Sequence, residues 1–153
     1  IEGDILFSTL GTTKKEAGGK KEQFLVDYTY QNEFAKMASK NGVNHYSLLS
    51  SIGADENSFF FYPKLKGTLE NSIKSLKFNK IHIFQPPSII RQPELIRAGE
   101  RYSINFLQVI NKLGFLEFLK PILVKDLAMK IINESLLNQK EGVTIYKSKD
   151  LFN

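Results

Sequence analysis

Tyr62 and Lys66 stand four residues apart, eleven residues after the paired hydroxyls of Ser50-Ser51. If residues 62 to 77 form a helix, the phenol and the ammonium occupy neighbouring positions on one face and can share a cleft. A phenol, an ammonium and a hydroxyl brought together suit carbonyl reduction or alcohol oxidation. A phenol with its ordinary pKa of about 10 exchanges protons poorly at neutral pH, but an adjacent lysine cation favours the phenolate and lowers that value. Tyr62 is then a candidate general acid/base.

The spacing alone is weak, because the chain has 6 Tyr and many lysines. Context strengthens it. His45 to Ser51 reads as a buried strand ending in hydroxyls, followed by a loop (52–58) and the Tyr62 helix, and open α/β sheets place their chemistry at strand ends. The plainer alternatives are a helix-start aromatic packed on Leu65 and Leu69, and hydroxyls that only cap a strand.

The rest of the chain supplies a scaffold of the required kind. Asp4 to Leu10 is a short apolar run entering the turn Gly11-Thr12-Thr13, and residues 12–19 are polar. From Glu22 to Lys40, Val26, Tyr30, Phe34 and Met37 recur as an amphipathic helix requires, with Asn41-Gly42 as its stop. Leu65, Leu69, Ile73 and Leu76 give a second apolar stripe, and Lys80 to Gln85 a third strand ending at Pro86-Pro87. Strands and helices alternating at about 35-residue spacing imply parallel pairing through right-handed crossovers, half of a doubly wound sheet. Beyond it, Arg101 to Lys112 and Lys125 to Leu137 read as helices, Pro121 to Val124 as a short extended piece, and Val143 to Lys147 as a final strand.

At 153 residues and 42% hydrophobic content, one core and one domain are expected. The absence of Cys excludes thiolate chemistry and disulfide scaffolds. His45 and His82, the only histidines, each fall in a strand away from any ligand-like cluster, so both read as structural and no metal site is expected. No apolar run approaches the ~18 residues of a membrane span, and no basic-then-apolar leader opens the chain, which points to a cytoplasmic protein that meets no membrane. The net charge of +5 permits attraction to phosphates, but the lysines are dispersed as on a solvated face and carry no nucleic-acid motif.

Several segments together resemble the short-chain dehydrogenase/reductase superfamily, in its atypical NAD(P)-binding or NmrA-like branch. They are Leu10-Gly11-Thr12-Thr13 with Lys14, Val26-Asp27, Leu48 to Asp55, Tyr62 with Lys66-Gly67, Phe84-Gln85-Pro86, and Asp126-Leu127-Ala128. The resemblance implies a Rossmann-like doubly wound parallel sheet and an NAD(P)-dependent oxidoreductase acting on a small carbonyl or alcohol substrate. It implies that Tyr62 exchanges a proton with the substrate oxygen, that Lys66 lowers the phenol's pKa and bonds the nicotinamide ribose, and that a serine binds the same oxygen. Ser51 is the first choice; Ser50 is the alternative and would otherwise line the cofactor cleft. Leu10, Gly11, Thr12 and Thr13 would run along the adenosine side of NAD or NADP, with the balance toward NADP, and Pro86 would face the nicotinamide amide. Where the family often has Arg-Pro-Gly, this chain has Gln85-Pro86-Pro87. Asp27 would steady the site or, as the plainer expectation, stand exposed on its helix. A small substrate lobe is expected around 88–125, with Arg91, Arg97, Glu100 and Arg101 available to orient a substrate. The same resemblance leaves open a non-catalytic NAD(P)H-sensing module, a nucleotide-sugar epimerase or dehydratase, and a homo-oligomer.

None of the 10 glycines forms Gly-x-x-Gly-x-x-Gly or Gly-x-Gly-x-x-Gly. The pyrophosphate cradle of the family precedes the strand at 4–10, so the reading expects the C-terminal portion of a Rossmann-like domain, truncated of its first strand-helix-strand unit. Such a sheet would show an unpaired edge and apolar surface.

Overall fold

The computed structural model describes residues 1–90 and 120–152. In chain order these form β1 (Ile5–Ser8), α1 (Lys14–Ala17), α2 (Lys20–Phe24), a π-helical segment (Leu25–Tyr30), α3 (Gln31–Lys40), β2 (His45–Leu49), α4 (Phe61–Lys74), β3 (Lys80–Gln85), β4 (Ile89–Ile90), β5 (Ile122–Leu123), α5 (Val124–Leu137), β6 (Gly142–Lys147) and a closing 3-10 turn (Ser148–Leu151). β1, β2, β3 and β6 make one sheet in that order, every pair parallel, and β4 pairs with β5 in a second, two-stranded parallel sheet.

The alternation of side chains along β2 and β3 sends successive residues to opposite faces, and both faces are covered. Tyr46, Leu48, Ile81 and Ile83 pack with Ala35 and Ala38 of α3 and Leu69 and Ile73 of α4. On the other face Phe84 stacks on Tyr146, with ring centroids 4.6 Å apart, over Leu127 and Ile131 of α5. Covered faces are what near-continuous apolar strands require. The doubly wound architecture expected from the sequence is therefore the one that forms.

Three local expectations change. The helix from 22 to 40 is continuous but contains a π-helical turn, and its buried face is Gln23, Asp27, Gln31, Ala35 and Ala38, while Tyr30, Phe34 and Met37 remain exposed. The wider i→i+5 turn keeps residues spaced by four in line, so the face differs from the one a 3.6-residue period selects. Tyr30, Phe34 and Met37 therefore lie outside the core. The Tyr62 helix spans Phe61–Lys74, not 62–77. The first strand ends at Ser8 rather than Leu10.

Among the described residues β1 pairs only with β2, and Phe7 and Leu10 are exposed beside it. The expected helix at 101–112, and most of the expected lobe with Arg91, Arg97, Glu100 and Arg101, fall outside the described residues.

His45 and His82 lie fully inside, on adjacent strands, with ring centroids 4.4 Å apart edge to face, and among the described residues none of their four ring nitrogens has a hydrogen-bond partner. Burial pushes His45 down to about 4 from an ordinary 6.5, helped by His82 and Lys80. Burial also lowers His82, helped by Lys80 and opposed by Glu134. Because the folded state favours neutral imidazole, the unfolded chain binds more protons between about pH 4 and 6.5, and stability falls as pH falls through that window. The loss from His45 is about 3 kcal/mol. In urea unfolding the midpoint should already decrease between pH 7 and 5, above the carboxylate range; a midpoint constant over that interval contradicts neutral buried histidines.

Candidate active site

The ladder between β2 and β3 runs past the strand ends. The Ser50 N–H donates to the Phe84 carbonyl (2.8 Å) and the Ile52 N–H to the Pro86 carbonyl (2.9 Å). These bonds hold Ser50-Ser51 at the carboxyl edge of the sheet, and Gly53, at φ +75°, turns the chain away. The loop then meets the helix it leads into: the Asp55 N–H donates to the Pro63 carbonyl (3.0 Å). Contact is so close at Gly67 that a Cβ there would stand 2.3 Å from the backbone of Asp55 and Glu56. Only glycine lets α4 press on this loop and bring Tyr62 to Ser51. Pro63 sits in the first helical turn, where a missing N–H costs nothing.

A cleft of about 590 Å³ opens at this edge, lined by Leu10, Gly11, Thr12 and Thr13 on one side and by Ser50, Tyr62 and Lys66 on the other. Ser51 is not in the lining; its hydroxyl donates to the Ile52 carbonyl (3.2 Å) and lies near enough to Tyr62 to favour the phenolate. Pro86 is fully buried and stands outside the lining; its carbonyl serves the Ile52 anchor. Thr13 caps α1, accepting from the Glu16 N–H (3.3 Å). Of the catalytic and cofactor residues singled out in the sequence, seven thus border one cleft, while Ser51 and Pro86 stand outside its lining.

The electrostatics differ from the expectation. Burial and the Asp27 carboxylate raise the Tyr62 pKa above its ordinary value, against a smaller lowering by Ser51, and Lys66 is not among the groups that act on it. Tyr62 retains 40% of its exposure, so water moderates the shift. Lys66, only 3% exposed, is lowered by burial and held up by Asp27 and Glu70. The arrangement therefore keeps a protonated phenol in the same cleft as a lysine whose charge depends on two carboxylates.

Asp27 is the largest correction among single residues. Expected on a solvated helix face, it is fully buried. Its Oδ1 accepts from the Thr12 N–H (2.8 Å) and its Oδ2 from Gln23 Nε2 (3.2 Å). Its carbonyl, in the π turn, accepts from Gln31 Nε2 (2.9 Å), and Ser8 of β1 donates to Gln31 Oε1 (2.8 Å). Tyr28 of the same turn hydrogen-bonds Ser72 of α4 (3.0 Å). The π turn thus aims one carboxylate at the Leu10–Thr13 turn and sets its charge near both Tyr62 and Lys66.

Sequence reasoning also missed Glu70 and Gln85. Glu70, 3% exposed, accepts from the Ser50 hydroxyl (2.5 Å) and from Gln85 Nε2 (2.9 and 3.1 Å), with Lys74 Nζ at 3.5 Å. The signal was present as Tyr62, Lys66, Glu70 and Lys74 at steps of four, a polar stripe beside the apolar one.

Protein fmp52, mitochondrial, of Aspergillus niger is 34% identical over 110 residues, covering 72% of this chain and 47% of that protein. Protein HTATIP2 of Rattus norvegicus is 38% identical over 104 residues, covering 67% and 42%. The chain therefore spans about half the length of the curated relatives it matches. No family model matches. Among solved structures, the Bordetella bronchiseptica enzyme WbmG in complex with NAD superposes with a TM-score of 0.63 at 15% identity, over 94% of this chain and 50% of that one. Human epimerase family protein SDR39U1 with NADPH gives 0.62 at 14% identity, over 95% and 57%. The fold is Rossmann-like. Fmp52 and HTATIP2 are among the chain's homologues, and its fold is the one seen in solved short-chain dehydrogenase/reductase and epimerase-family proteins.

One expectation is overturned here. The cytoplasmic placement rested on the want of a leader or a membrane span, yet several of the matched relatives are described as mitochondrial. Among the described residues no helix is long and apolar enough to cross a membrane.

Proposed function

We propose that the chain carries the catalytic half of an NAD(P)-dependent oxidoreductase, reducing a carbonyl or oxidising the corresponding alcohol. One observation carries the reading: Tyr62, Lys66 and Ser50 border a single cleft at the carboxyl ends of parallel strands, next to Ser51. A nicotinamide, when bound, supplies or accepts the hydride. The residues present fit its ribose end, where Lys66 and Ser50 offer hydrogen bonds and Leu10 to Thr13 form the facing wall; no residue is assigned to the pyrophosphate. Ser51 orients the substrate oxygen. In the reducing direction the carbonyl carbon gains the hydride, the oxygen takes the Tyr62 proton, and the phenolate left behind recovers a proton from solvent. Lys66, as an ammonium, stabilises that phenolate.

The raised pKa of Tyr62 supports reduction as the direction served at neutral pH, since the phenol already holds the proton to be given. A nucleotide-sugar epimerase is the second reading, favoured by the epimerase-family protein among the structural neighbours. The two part on a panel of aldehydes and ketones with NADH or NADPH. Net oxidation of the dinucleotide supports the reductase. Tight dinucleotide binding with no oxidation on any carbonyl contradicts it and favours a sensing module; conversion of substrate without net oxidation favours the epimerase.

A further inference from the structure

Glu70 takes no part in the proton transfer described above, yet its buried carboxylate touches more of the site's framework than any one of the reacting groups. It lies one turn after Lys66 on α4, accepts the Ser50 hydroxyl from the end of β2, and accepts the Gln85 amide from the end of β3. Lys74 approaches from the solvent side at 3.5 Å. Each carboxylate oxygen thus has two partners: Oε1 takes Ser50 and Gln85, Oε2 takes Gln85 and Lys74. Ser50 has one proton, and a short bond to a carboxylate commits it. Although Ser50 borders the cleft, only its lone pairs are free toward a ligand. Ser51 donates weakly to a neighbouring carbonyl at 3.2 Å and can turn its hydroxyl toward Tyr62.

We propose that Glu70 is a positioning residue: it ties the ends of β2 and β3 to the helix carrying Tyr62 and Lys66, and directs the Ser50 proton into the protein, which leaves Ser51 as the hydroxyl that donates to the substrate oxygen. The inference rests on the Tyr62 and Lys66 reading. Gln85 has a stated use in it, as the neutral donor that spans both carboxylate oxygens. The charge of Glu70 also faces Lys66 together with that of Asp27, so removing it makes the buried ammonium harder to keep.

Two variants separate charge from geometry. Glu70→Gln keeps the length and removes the charge; Glu70→Asp keeps the charge and withdraws it by one methylene from Ser50 and Gln85. Lys66 is followed by carbon-13 NMR in the 153-residue chain, which also reports whether each variant is folded, and turnover is measured in the native protein. In Glu70→Gln, Lys66 should titrate at lower pH than in the unaltered chain. In Glu70→Asp, Lys66 should titrate near its original position while kcat falls about a hundredfold with KM little changed, the expected penalty of misplacing groups by about 1 Å. Retention of the original kcat in a folded Glu70→Asp, or an unmoved Lys66 titration in Glu70→Gln, overturns the proposal. Where the unaltered native protein shows no turnover, the oxidoreductase reading fails, and the positioning role is decided by the Ser50 side chain alone: protection of its hydroxyl proton from exchange, lost in Glu70→Asp, upholds it, and protection unchanged in that variant overturns it.

Discussion

Tyr62→Phe should leave dinucleotide binding near its original level and lower kcat by about 10²–10⁴-fold, the usual contribution of a positioned acid or base. The substitution removes one oxygen from a ring that stays packed at the start of α4, so the helix, the Gly67 contact and the Lys66 position survive. What disappears is the proton for the substrate oxygen. The raised pKa adds a pH signature. Ionisation of Tyr62 should not limit reduction by the unaltered protein below the ordinary phenol value of about 10, so any earlier decline reports loss of the Lys66 ammonium, whose pKa burial lowers. Binding measured by fluorescence and turnover measured over pH 6 to 10.5 decide it; turnover unchanged in Tyr62→Phe rules the residue out as the acid.

Asp27→Ala should act through a different route, lowering stability and disturbing both charged partners at once. The Thr12 N–H and the Gln23 amide lose their acceptor inside the protein, and a hydrogen bond to a buried charge is worth enough that the loss should be about 3 kcal/mol. Lys66 loses its larger supporting charge, so its pKa falls further; Tyr62 loses a negative neighbour, so its pKa falls as well. Asp27→Asn retains an acceptor and should cost less stability while moving both titrations in the same downward direction. Urea unfolding and carbon-13 NMR of Tyr62 and Lys66 read the two effects separately. A Tyr62 titration unmoved in Asp27→Asn contradicts the electrostatic role given to this carboxylate.

Much of this arrangement was legible before any coordinates, and the reasons are specific. Strands such as Lys80-Ile81-His82-Ile83-Phe84-Gln85 are short, apolar and followed by a break, so their burial and parallel pairing follow from pattern alone. Tyr62, Lys66 and the serine pair could be placed on one edge because a strand ending in hydroxyls, a short loop and a helix follow one another, in segments that resemble a known family. Asp27 could not. A helical period gives a carboxylate between exposed lysines and Tyr30 to solvent, and the π turn that rotates it inward depends on Gln31 and Ser8 meeting across tertiary space. The same turn exposes Phe34 and Met37, which the period had assigned to the core. Glu70 was hidden for another reason: buried charge is expensive, so a lone glutamate in a helix reads as solvated until its partners on two strand ends are known. The Tyr62 pKa was misjudged in sign because desolvation and a neighbouring carboxylate, both invisible in sequence, raise it, and Lys66 is not among the groups that lower it.

The measurement closest to the central claim is transfer of label from NADPH carrying deuterium at the reactive C4 position to a carbonyl substrate of the native protein. The account predicts deuterium at the former carbonyl carbon of the alcohol, with the new hydroxyl proton drawn through Tyr62 and therefore little product from Tyr62→Phe. Alcohol formed without deuterium at that carbon, or labelled alcohol formed equally fast by Tyr62→Phe, would contradict it.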